Sequence, residues 1–108
     1  MITKKSKFVS KKHLQYVAEQ ICCLSFKGNC GGGVQAHHLL KPWSGVRGMG
    51  IKANDKNAIP LCYKHHAELH DSVGDEYKFF LNYKLPEEFG KMVAVWFWYM
   101  SPHRSIND

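Results

Sequence analysis

Ala36-His37-His38-Leu39-Leu40, then Asp55-Lys56-Asn57, then Pro60-Leu61-Cys62-Tyr63-Lys64-His65-His66, and finally His70 decide the reading of this chain. Five histidines and a cysteine fall between residues 36 and 71, too dense for surface decoration. Val34 to Leu40 is short and extended, ending before Pro42. Asn57 to Leu61 reads as a second short strand, and Pro60 inside it argues for an edge position. A helix is predicted from about Tyr63 to Ser72. On it His66 and His70 stand four apart, so their rings share a face.

Outward from that stretch, Ser10 is a plausible N-cap. Leu14, Val17, Ala18 and Ile21 recur at helical spacing, predicting a first helix over 11–22. Asn29 to Gly33 and Trp43 to Asp55 read as loops. Two more helices are predicted, over 75–84 and 87–100, the second carrying Trp96 and Trp98. Its aromatic cluster at Phe97 to Tyr99 reads as core or as a dimer surface. The fold class expected is α+β. Residues 1–10, with three lysines and Lys11 and Lys12 directly after them, read as a basic flexible tail; 11–108 form a single domain with its core at about 22–73.

The chain has 108 residues, with 15 Lys+Arg against 9 Asp+Glu, a formal charge of +6. The isoelectric point of about 9.2 suggests an anionic partner, nucleic acid before a membrane surface. No secretory signal is visible, and the longest apolar run, Met92 to Met100, is too short to span a bilayer. The expected location is the cytoplasm, without a membrane partner. There, cysteines mixed with histidines bind metal or stay reduced more often than they form disulfides.

His66 and His70 are half of a metal site, and His37 or His38 can supply a third imidazole. Three protein ligands leave open positions at which a metal ion can hold a phosphate oxygen and stabilise a leaving oxygen. An unligated histidine beside the metal suits the activation of water, since its pKa lies near neutral. Successive residues of a regular strand face opposite sides, so both His37 and His38 can serve only if the backbone is irregular there. A base histidine also needs a neighbour that fixes its tautomer, and Asn57 and Asp55 are candidates.

His38, Asn57 and His66, in that order, resemble the signature of the HNH (ββα-metal) endonucleases. Cys62-x-x-His65-His66 is similar to that family's Cys-x-x-Cys-His, with His65 in place of the second cysteine. Gly48-Met49-Gly50-Ile51-Lys52-Ala53-Asn54-Asp55 resembles a loop of phage and prophage Ref-like HNH nucleases. The resemblance covers about half the chain. It implies a ββα-metal core of a short β-hairpin and a helix, flanked by an N-terminal helix and two C-terminal helices. It further implies hydrolysis of DNA phosphodiester bonds, by nicking or double-strand cutting. His37, His66 and His70 would hold the catalytic ion (Mg, Mn, Ni or Zn). His38 would be the base, oriented by Asn57 or by its rival Asp55. Arg47 and Lys52 could contact DNA phosphates, or be ordinary surface charge.

The same resemblance implies a structural zinc, held by Cys23, Cys30, Cys62 and His65 with Cys22 as the substitute; otherwise these cysteines are small buried hydrophobes. The alternative function is a non-catalytic, zinc-containing DNA-binding module. A histidine-rich storage protein leaves the motif order unexplained. A homodimer would suit cutting of both strands with one site per chain.

Overall fold

The computed structural model describes residues 8–45 and 52–104. The fold is α+β, with a two-stranded antiparallel sheet among four α-helices. In chain order these are α1 (Lys11–Ala18), β1 (Val34–His38), β2 (Ala58–Cys62), α2 (Tyr63–Ala67), α3 (Glu76–Asn82) and α4 (Phe89–Met100). Short 3-10 turns cover Ser25–Lys27 and Asp55–Asn57, and α2 runs directly into a π-helical segment, Glu68–Val73.

Local chemistry sets the helix starts. Ser10 Oγ accepts the amide of His13 at 3.2 Å and caps α1. Asp75 accepts the amides of Tyr77 and Lys78 and caps α3. The first helix stops at Ala18 rather than at Cys22, because the chain turns there to deliver its cysteines to the sheet. The amide of Gln20 bonds back to Val17, and that of Cys23 bonds to the carbonyl of Pro60 at 2.9 Å. Pro60 pairs with Ala36 in the ladder, and each strand of a two-stranded sheet is an edge. The helix expected over 63–72 is α-helical only to Ala67. Its widened turn closes on Gly74, whose φ of 75° and bond from its amide to the Leu69 carbonyl end the segment.

The core gathers Leu24, Leu39, Ile59, Leu61, Leu69, Phe79, Phe80 and Ala94 between the sheet and helices. The aromatic cluster of α4 divides. Trp98 is buried against His13 and Phe8, while Trp96 and Tyr99 are exposed. Phe8 and Ser10 are anchored rather than part of a free tail: the Phe8 carbonyl accepts the amide of Asp55, and the amide of Ser10 donates to the Asp55 carboxylate. Among the described residues no helix is long and apolar enough to cross a membrane.

Candidate metal centres

Two groups of ligand-type side chains converge, one at each end of α2. At its start Cys22, Cys30, Cys62 and His65 bring their ligand atoms within 4.8 Å of one another. His65 Nδ1 lies 3.6 Å from Cys22 Sγ, 3.7 Å from Cys30 Sγ and 3.2 Å from Cys62 Sγ. Tetrahedral zinc with ordinary Zn–S and Zn–N bonds sets such S···N separations at about 3.6 Å, so this group is compatible with a structural zinc site. Two sulfurs already accept backbone amides, Cys22 from Leu24 and Cys62 from His65, each at 3.4 Å. His65 Nε2 is buried with no hydrogen-bond partner among the described residues, and its ring stands edge-on to Tyr83.

The cysteine order corrects one expectation: Cys22, not Cys23, completes this group. The amide of Cys23 is tied to Pro60 on β2, and this turns the Cys22 side chain inward. A hydrogen bond from Cys23 is the largest influence holding the Cys22 thiol well below its ordinary range, while the Cys23 thiol is pushed up. Desolvation, followed by the nearby Cys22 and Cys62 sulfurs, raises Cys30. Cys30 arrives on a loop pinned to α2, where the amides of Tyr63 and Lys64 bond to the carbonyls of Gly33 and Gly31.

At the other end, His37 of β1, His66 of α2 and His70 of the π-helical segment bring ligand atoms within 4.8 Å. Ring centroids are 5.1 Å apart for His37 and His66, 5.4 Å for His37 and His70, and 4.4 Å for His66 and His70. Burial, then the adjacent His37 and His70, hold His66 below the ordinary imidazole value of 6.5. This favours a neutral ring with a lone pair to give.

The strand neighbour His38 faces different company. Its Nε2 lies 2.7 Å from Asp55 Oδ1, and the other oxygen of that carboxylate accepts the Ser10 amide at 2.7 Å. Asn57 does not face His38. Its fully buried amide accepts the amides of Trp43 and Ser44 and donates to the Ser44 and Asn54 carbonyls. Asn57 therefore braces the loop before the second strand, and Asp55 is the group placed to orient His38. The ladder keeps its register through His37↔Ile59 and His38↔Ala58, the last pair of β1, and the strand ends there. Lys52 is exposed; Arg47 lies outside the described residues.

One residue escaped the sequence reading. Glu76, 2% exposed, places Oε2 2.9 Å from His37 Nε2 and accepts the amides of Leu40 and Lys41. An acid in the first turn of a helix is so ordinary that nothing in the sequence marked it.

One comparison gives a curated relative, "Uncharacterized protein YdfU" of Escherichia coli (strain K12), 39% identical over 80 residues. The matched part covers 72% of this chain but 21% of the relative, so the chain spans about a fifth of that protein's length. No solved structure gives a significant match. The family described as "Protein of unknown function (DUF968)" matches residues 1–100, and the chain belongs to that family.

Proposed function

We propose that this domain is a metal-dependent endonuclease of the HNH type that hydrolyses phosphodiester bonds in DNA. One observation carries the reading: adjacent histidines at the end of β1 serve two arrangements. His37 belongs to a three-imidazole group with His66 and His70, and His38 is held by the Asp55 carboxylate. The succession of β1, β2 and α2 supports it, having the order that a ββα-metal core requires. A divalent ion held by His37, His66 and His70 would supply Lewis acidity to a phosphate oxygen and to the leaving oxygen. Three imidazoles suit zinc or nickel better than magnesium.

The chain's own residues do the rest. Asp55 accepts the Nε2–H of His38, which puts the ring's lone pair on Nδ1, the atom that takes a proton from water. The Ser10 amide holds the far oxygen of Asp55, so the acceptor cannot swing away. Lys52 and the net charge of +6 favour the DNA backbone.

A second reading is a zinc-stabilised DNA-binding module without catalysis. The register kept through His37 and His38 favours it, because neighbouring side chains on a paired strand point to opposite faces. Cleavage of supercoiled plasmid decides between them, using wild type, His38→Ala and His66→Ala, each with Mg²⁺, Mn²⁺, Ni²⁺ or Zn²⁺. Metal-dependent nicking that falls by about 10²–10⁴-fold in a folded His38→Ala variant is expected. DNA binding without cleavage under any metal would establish the module instead.

A further inference from the structure

The three-imidazole group has a built-in support on α3. We propose that Glu76 is its positioning residue, selecting which nitrogen of His37 faces the metal; the inference rests on the metal-site reading above. The Glu76 carboxylate is buried, and three donors converge on it. His37 Nε2 lies 2.9 Å from Oε2. The amide of Leu40 lies 3.0 Å from Oε2 and that of Lys41 lies 3.0 Å from Oε1. Among the described residues, each group hydrogen-bonded to this carboxylate is a donor or, as with His37, can act as one. The lowest-energy arrangement therefore puts the imidazole proton on Nε2. A neutral imidazole carries one proton and one lone pair, so the lone pair of His37 falls on Nδ1. Nδ1 is then the ligand atom, and the ring is held at the angle that the carboxylate sets.

The two backbone amides extend that control. Leu40 and Lys41 follow directly where β1 ends, and binding both to one carboxylate fixes the exit of the strand that carries His37 and His38. Asp75 caps α3 immediately before Glu76, which fixes the start of the helix that carries the carboxylate. Carboxylate–histidine–metal relays of this kind hold the tautomer and raise ligand basicity. Glu76 and His37 are 39 positions apart, so the packing of α3 on the sheet becomes a condition for metal binding.

The test reads the tautomer directly. In long-range ¹H–¹⁵N spectra of the full chain with the three-histidine group metal-free, His37 is expected as the Nε2–H form; the Nδ1–H form would overturn the proposal. Titration with Co²⁺ or Zn²⁺ then compares wild type, Glu76→Gln, Glu76→Asp and His66→Ala. Glu76→Gln places an amide donor against other donors and should weaken uptake by about 10–100-fold, with Glu76→Asp recovering part of it. Undiminished affinity in a folded Glu76→Gln variant would also overturn it. Uptake by wild type no greater than by His66→Ala would instead remove the metal site itself, and the role of Glu76 with it.

Discussion

Cys22 and Cys23 differ by one position and by their whole chemical setting. Cys22 is 3% exposed, with its sulfur among Cys62, Cys30 and His65, whereas Cys23 supports it through a hydrogen bond and anchors the backbone on Pro60. Serine keeps the shape of cysteine but is a far poorer zinc ligand. Cys22→Ser should therefore lose tightly bound zinc, while Cys23→Ser should retain about one equivalent. Metal content after gel filtration checks this, and the reverse pattern would restore Cys23 as the ligand. The neighbouring residues show the same lesson: Asp55 reaches His38 and Asn57 does not, because the 3-10 turn they share directs their side chains differently.

Among the elements, α2 serves both candidate centres, through its N-cap Cys62 and His65 for one and the next residue, His66, for the other, with the π-helical segment adding His70. The loop that supplies Cys30 depends on Gly32. Its φ of +77° disfavours any side chain, and an added Cβ would stand 2.6 Å from the Cβ of Tyr63. Gly33 beside it has open space. Gly32→Ala should thus displace the loop and speed zinc loss to a chelator, at a stability cost of about 1–3 kcal/mol, while Gly33→Ala behaves like wild type. A colorimetric zinc-release assay with thermal melts separates the two. Equal release from both variants would show that this loop does not position Cys30. Much of the element order was legible from hydrophobic spacing and caps. The helix ends were not, since α1 stops for a contact with β2 and α2 widens into a π turn, both tertiary events.

Across the molecule, His13 joins the N-terminal helix to the C-terminal one. It is fully buried, with Nδ1 3.0 Å from Ser101 Oγ, its ring edge-on to Trp98, and Nε2 unpartnered among the described residues. Burial holds its pKa below 6.5; the Asp55 charge opposes that shift and His103 adds to it. The unfolded chain therefore takes up a proton that the folded protein resists. The stability from a neutral His13 is present above 6.5 and is lost as pH falls below it toward the lower folded value. The melting temperature of metal-free protein should drop between about pH 7 and about pH 5, and His13→Phe should flatten that slope. His66, also lowered, supplies part of what remains. An unchanged slope in the variant would assign the pH dependence elsewhere.

The sequence by itself determined the α+β class, the two strands around the histidine pair, the four-residue spacing of His66 and His70, and Cys62-x-x-His65. These are features of local periodicity, in which a few neighbouring residues carry the signal. Only the tertiary structure decided that Cys22 enters the cysteine group, that Asp55 rather than Asn57 meets His38, and that Glu76 holds His37. Those contacts join residues 17 to 43 positions apart. Their partners are chosen by how α1 and α3 pack on the sheet, a matter of burial and long-range geometry that no local pattern encodes.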